Sequence, residues 1–200
     1  MGFNITNNYI NDTDEVYFIG EIGINHNGDI DLAKKIIFEA KKAGFSSVKF
    51  QKRNPELSTP EDIKHRLRET PWGEMSYIDY KHKIEFGKNE YDEIAKYCSE
   101  LEIDWFASCW DTDSLNFLLE YEPPVLKLAS ASITDKNLLE AHVQTKLPII
   151  MSTGMSTMEE IKKAHKILNT NPLAILHTTS TYPCPPEELN LNMIKTLIKE

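Results

Sequence analysis

Two lysines stand inside otherwise apolar runs, Lys49 in SSVKF (46–50) and Lys127 in PVLKLA (124–129). A buried ammonium is costly unless a carboxylate or a bound anion faces it, so each lysine marks either a structural ion pair or an anion site. Glu21, at the end of VYFIGEI (16–22), is the carboxylate that a structural reading assigns to Lys49, across the interior of the fold. Ser130, Ser152 and Ser180 follow the ends of further apolar runs. Two lysines and three hydroxyls at matching positions suit one task above others, the holding of a small phosphorylated anion.

These residues are positioned by a repeating pattern. From Val16 onward short apolar runs alternate with amphipathic stretches, as strands joined by crossover helices do in a parallel sheet. The runs predict strands at 16–22, 46–50, 103–108, 124–129, 147–152 and 173–178, each followed by a helix, which makes six βα units. Leu32, Ile36, Ile37 and Ala40 recur at helical spacing with Gly44 at the expected C-terminal cap, and Asn89, Thr134 and Ser156 are candidate N-caps further on. Residues 51–88, rich in charge, Pro, Trp and Tyr, form an insertion too long for an ordinary connection. In parallel α/β folds ligands sit at the carboxyl ends of strands, which is where Glu21, Lys49, Gln51, Cys109, Ser130, Ser152, Ser180 and Tyr182 fall.

Composition narrows the function classes. The 200 residues carry a net charge of −9 and are 40% hydrophobic, enough for one sizeable core and unsuited to binding nucleic acid or an anionic membrane by general charge. No apolar run has a membrane-spanning length, residues 1–15 read as a polar arm without signal-peptide character, and the expected location is the cytoplasm. Three cysteines without CxxC spacing give neither a disulfide framework nor a zinc knuckle. His65, His82, His142 and His165 read as solvated, His26 and His177 lie at strand ends, and no spacing among the six gives a metal site. Cys109 lacks an activating His–Asn pair and reads as a small packing residue in place of a nucleophile.

EIGINHNGDIDLAKK, VKFQ, KLAS, STGMSTMEEI and LHTTSTYP, in this order and spacing, resemble the N-acetylneuraminate (sialic acid) synthase family, which includes legionaminate and pseudaminate synthases. The resemblance spans about residues 16–192. It implies a (β/α)8 TIM-type barrel, of which about six units are present, followed in the family by an antifreeze-like C-terminal domain that this chain does not contain. It also implies condensation of phosphoenolpyruvate with N-acetylmannosamine or a related amino sugar, with a divalent metal, Mn²⁺ or Mg²⁺, polarising the sugar aldehyde. By motif, Lys49 and Lys127 would bind the phosphate and carboxylate of phosphoenolpyruvate, Ser130, Ser152 and Ser180 would donate hydrogen bonds, Gln51 and Tyr182 would face the sugar, and Glu21 would lie beside the reacting carbons. Ser132 stands where the family commonly has a glutamate, and Cys109-Trp110 where it commonly has Thr-Pro or Ser-Pro. The two metal-binding histidines of the family come from later strands, so no metal ligand is assigned here, and a barrel of this type takes about 250 residues. The resulting expectation is a synthase present as a truncated product of a longer chain or as one piece of a split enzyme, with a partner chain completing the barrel or a homodimer as the assemblies considered. Two alternatives stand beside it: a module that binds phosphoenolpyruvate or a partner without turnover, and an aldolase using Lys49 or Lys127 as a Schiff-base nucleophile.

Overall fold

A computed structural model describes residues 2–11 and 16–200. The chain divides into two compact parts, one formed by 14–123 and the other by 1–13 together with 124–200. The expected polar arm is in part an antiparallel hairpin of β1 (Phe3–Ile5) and β2 (Asn8–Ile10), with Ile5 buried. Residues 12–15 of that arm lie outside the described residues.

The 14–123 part is built on three parallel strands, β3 (Ile19–Gly23), β4 (Ser47–Lys52) and β7 (Asp104–Cys109), with β4 in the centre. Parallel neighbours need a crossover, and helix α1 (Ile30–Lys42) supplies the first. Its start is fixed by Asp29, whose carboxylate accepts from the backbone N–H of Asp31 (2.8 Å) and Leu32 (3.0 Å). Its end is fixed by Gly44, at φ +84° just past the cap, a conformation that favours glycine. Val48 and Phe50 of β4 are wholly buried, as expected for a strand covered on both faces.

The insertion is structured. It holds α2 (Pro55–Ser58), α3 (Glu61–Lys64), an antiparallel hairpin of β5 (Leu67–Thr70) and β6 (Gly73–Ser76), and α4 (Tyr77–Ile84). The second crossover helix, α5 (Lys88–Glu100), follows directly and its Tyr91 packs edge-on to Phe50, at 6.2 Å between ring centroids. After β7 comes α6 (Thr112–Leu119), capped by Asp111, whose carboxylate accepts from Ser114 N at 2.7 Å and from Asn54 N at 2.7 Å.

The 124–200 part repeats the scheme with β8 (Leu126–Leu128), α7 (Lys136–Gln144), β9 (Ile149–Ser152), α8 (Met158–Leu168), β10 (Leu173–Leu176) and α9 (Met193–Lys199). Its strands are parallel, with β9 between β8 and β10. Strand ends differ from the sequence-based bounds by at most three residues, and two of them, Ser152 and Leu173, coincide. The region after β8 turns at once into a 3₁₀ turn (Ser130–Ser132), which shortens that strand to three residues.

The caps also shift. Asn89 lies inside α5, whose first turn is closed by Gly87 N–H donating to Glu90 Oε2 (2.9 Å). Asp135 replaces Thr134, its carboxylate accepting from Leu138 N (3.1 Å). Thr157 replaces Ser156 through a reciprocal box in which Glu160 N donates to Thr157 Oγ1 (3.3 Å) and Thr157 N to Glu160 Oε2 (2.7 Å). Asp135 and Thr157 each sit three positions before the N–H they cap, while Thr134 and Ser156 do not.

One histidine reading is overturned. His142 is completely buried on α7, its Nδ1–H donating to Leu138 O at 2.8 Å. It shares a helix face with Leu138 and Leu139, so burial follows from i, i+3 and i, i+4 spacing.

Candidate functional site

Side chains alternate across a strand, so β4 points Ser47, Lys49 and Gln51 to one face and Val48, Phe50 and Lys52 to the other. Lys49 pairs in register with Glu21 of β3, and their side chains form an ion pair. Lys49 Nζ also donates to Ser108 Oγ of β7 at 3.0 Å. The carboxylate expected across the interior therefore comes from the adjacent strand. Burial pushes the Lys49 ammonium below the usual lysine range, with Glu21 pulling the other way. Glu21 is half exposed, so the pair has a buried cationic end and an accessible anionic end.

Gln51, two positions on, shares this face and accepts from the Arg53 guanidinium through its side-chain oxygen. Gly23 comes close to both side chains: a Cβ there would lie 2.8 Å from Glu21 Oε1 and 3.4 Å from Gln51 Nε2. Cys109 belongs elsewhere. It shares the face of β7 with Trp105, whose ring packs against Tyr91 of α5 (5.7 Å) and Tyr121 (5.5 Å), while Ser108 turns toward Lys49. Cys109 is fully buried on the helix side and burial pushes its thiol up to about 12. Cys109, although at a strand end, therefore turns away from the face that carries Lys49 and Ser108.

His26 is likewise structural. Its ring stacks on Phe86 at 3.9 Å, its Nδ1 accepts from Gly28 N (3.1 Å), and burial lowers it to about 4.

The second cluster lies wholly within the 124–200 part. Lys127 of β8 is buried and donates to Ser152 Oγ of β9 (2.7 Å) and to Leu128 O (2.6 Å). Beyond these strand ends the backbone of Gly154 is ringed by hydroxyls. Gly154 N–H donates to Ser130 Oγ (2.9 Å), and Ser130 Oγ lies 3.2 Å from Thr178 Oγ1. A Cβ at Gly154 would collide with Ser180 Oγ and stand 3.0 Å from Ser130 Oγ and 3.1 Å from Thr178 Oγ1. Thus Ser130, Ser152 and Ser180, expected from strand ends alone, gather around one lysine and one glycine. Thr178, which also accepts from Thr153 N (3.2 Å), completes the ring and was marked in the sequence only by its place at the end of the sixth apolar run. Hydroxyls, a backbone N–H and an ammonium form a donor set suited to phosphate oxygens.

Tyr182 stands apart, 94% exposed and beyond the end of β10. His177, whose Nε2 lies 2.7 Å from Leu189 O, is held by the chain that follows. Among the described residues no group of three or more His, Cys, Asp or Glu side chains converges. The divalent metal implied by the family resemblance thus finds no ligand set in these residues, and no step below is derived through one.

Comparison with known proteins decides the lineage. The NeuB family profile matches residues 36–200. This chain belongs to the NeuB family. Among curated NeuB relatives, N-acetylneuraminate-9-phosphate synthase of Drosophila melanogaster is 36% identical over 189 residues, covering 92% of this chain and 50% of the relative. N,N'-diacetyllegionaminic acid synthase of Legionella pneumophila subsp. pneumophila is 30% identical over 194 residues, covering 92% and 54%. The crystal structure of N-acetylneuraminic acid (sialic acid) synthetase from Leptospira borgpetersenii serovar Hardjo-bovis, in complex with citrate, superposes with a TM-score of 0.89 at 32% identity, over 98% of this chain and 66% of that one. A likeness in fold alone extends to DAHP synthase of Thermotoga maritima, with a TM-score of 0.70 at 11% identity. The expected class, a (β/α)8 barrel represented by part of its units, is the fold of this NeuB chain. The chain spans about half the length of the curated relatives it matches.

Proposed function

We propose that this chain supplies the phosphoenolpyruvate-binding strands of a synthase that condenses phosphoenolpyruvate with N-acetylmannosamine or a related amino sugar. The observation that carries this reading is the ring of Ser130, Thr178 and Ser180 around Gly154, beside the buried Lys127 and Ser152. A buried ammonium beside several hydroxyls and a backbone N–H offers a phosphate dianion charge-assisted hydrogen bonds.

In the proposed reaction C3 of phosphoenolpyruvate forms a bond to the sugar aldehyde carbon, and the aldehyde oxygen takes up a proton. Water adds at C2, and the bond from C2 to the phosphate oxygen then breaks, leaving a ketone and inorganic phosphate. Lys127 and the hydroxyl ring stabilise the charge on the departing phosphate. Lys49 is assigned to the substrate carboxylate, Gln51 and Tyr182 to the sugar, and Glu21, accessible beside Lys49, to the reacting carbons. Ser132, buried at 6% exposure, brings no carboxylate to the position where the family commonly carries glutamate.

Release of inorganic phosphate from phosphoenolpyruvate that depends on added amino sugar tests this reading, with the chain assayed alone and within any longer protein that carries it. Phosphate release indifferent to the sugar contradicts it.

One observation favours a second reading, a Schiff-base aldolase. The lowered pKa of Lys49 raises its neutral, nucleophilic fraction. Borohydride trapping of pyruvate on Lys49 would establish that chemistry, whereas an untrapped lysine leaves the synthase reading in place.

A further inference from the structure

The strand that brings Ser152 to Lys127 leaves its sheet through a tight turn at 153–156, closed by Ser156 N–H donating to Thr153 O (3.4 Å). Its third residue, Met155, is left-handed at φ +61°, while Gly154 in second place is not. A turn of that geometry favours glycine third and accepts almost any residue second. The sequence has the two the other way round. Gly154 is explained by the hydroxyl ring, which leaves no room for a Cβ. Nothing in the turn explains Met155, whose Cβ makes a left-handed backbone costly.

The other left-handed side chains set it apart. Among the described residues they belong to Thr6, Asn27, Glu102, Glu122, Lys146 and Asn190, all polar. The backbone N–H groups of Glu102, Glu122 and Lys146 close the last turns of α5, α6 and α7. Met155 ends no helix, and its side chain is 72% exposed, whereas Met151 on the preceding strand is wholly buried. The turn is held from both sides: Thr153 Oγ1 donates to Leu176 O (2.9 Å), Ser156 Oγ donates to Gly154 O (3.2 Å), and α8 is capped from Thr157. The left-handed backbone costs stability, and the exposed side chain returns little of it. Strain kept one residue from the N–H that Ser130 occupies points to a use in the ligand-bound state.

We propose that Met155 is a specificity-determining residue of the Lys127 site: its side chain packs against the carbon-bearing side of a phosphate monoester held by the ring, and so selects such an ester over inorganic phosphate. Hydroxyls, an ammonium and an N–H recognise phosphate oxygens, which every phosphate ligand carries. Discrimination needs a group that meets the carbon atoms, and a methionine thioether, unbranched and polarisable, adapts to a small flat enol ester. Binding the ester buries the exposed methionine, whereas inorganic phosphate leaves it in water. Phosphoenolpyruvate as the ester rests on the synthase reading; the contact with an ester does not.

The test titrates the whole chain, its methionine methyl groups isotope-labelled for magnetic resonance, with phosphoenolpyruvate, ethyl phosphate and inorganic phosphate, alongside Met155→Gly and Met155→Leu. The methyl resonance missing from both variants is that of Met155. It should shift with either ester and stay in place with inorganic phosphate. Met155→Gly should unfold at the same or a higher urea concentration than the wild-type chain, because glycine adopts the left-handed backbone freely. The same variant should bind both esters at least about fivefold more weakly, as burial of part of a methionine side chain scales. Its affinity for inorganic phosphate should hold, and Met155→Leu should restore most of the ester affinity. Esters bound as tightly by Met155→Gly, an equal loss for esters and inorganic phosphate, or a lowered urea midpoint, which would make Met155 a packing residue, each overturns the proposal. Failure of phosphoenolpyruvate to bind while ethyl phosphate binds and moves the Met155 resonance would refute the synthase reading and uphold the contact. Binding of neither ester overturns both.

Discussion

Glu21 and Lys49 face each other in register on adjacent parallel strands, and their side chains meet in an ion pair whose cationic end is buried and whose anionic end is half exposed. Such asymmetry lets the carboxylate reach solvent or substrate while the lysine depends on it for charge balance. The pair is therefore a structural element that leaves its carboxylate half exposed.

Glu21→Gln should destabilise the protein by about 1–2 kcal/mol, below the value for a fully buried pair because Glu21 is half solvated. Urea unfolding of this variant and of Glu21→Gln/Lys49→Met checks it, since removing the stranded ammonium should restore part of the loss. A double variant no more stable than the single one would mean that Lys49 does not need Glu21.

Gly154→Ala should abolish phosphoenolpyruvate binding while the protein stays folded. The new methyl group would occupy the space among Ser130, Thr178 and Ser180, whose hydroxyls can swing aside only by leaving the ring. A loss in affinity of at least about tenfold with a cooperative thermal transition is the expected pair of results. Unchanged affinity would show that the ring is not the phosphate site.

Stability should fall as the pH drops from the ordinary histidine range toward 4. Burial lowers His26 and His142 to about 4 in the folded protein, whereas the unfolded chain takes up those protons near the ordinary histidine value of 6.5. Between these values the unfolded state binds more protons, so stability is complete above 6.5 and is lost progressively down to 4. Each histidine contributes on the order of 3 kcal/mol across the window. His142 is the simpler one to test: its Nε2 has no hydrogen-bond partner, so His142→Leu should hold at neutral pH and flatten the acid limb in urea unfolding at pH steps. An unchanged acid limb would place the proton uptake elsewhere.

Much of this was legible in the sequence, for identifiable reasons. Lys49 and Lys127 stood out because charge inside an apolar strand has few explanations, and Ser130, Ser152 and Ser180 because parallel sheets present their strand ends on one side. His142 was misread although its spacing to Leu138 and Leu139 carries the signal of a buried face. For Cys109 the strand end alone leaves two faces open, and only the partner of its neighbour Ser108 reveals which one turns inward. The sharing of the Tyr77 and Tyr80 rings by Arg68 and Lys81 was not legible at all, since these residues meet only through the fold of the hairpin and α4.

The most direct test of the central claim is a thermal unfolding scan of this chain and of Lys127→Met, each with and without millimolar phosphoenolpyruvate, because a ligand of the folded state raises the transition by mass action. A transition that moves up in the wild-type chain and stays in place in a folded Lys127→Met variant is the predicted result. A shift of equal size in both, or none in either, would contradict the assignment of Lys127 and its hydroxyl ring as the phosphoenolpyruvate site.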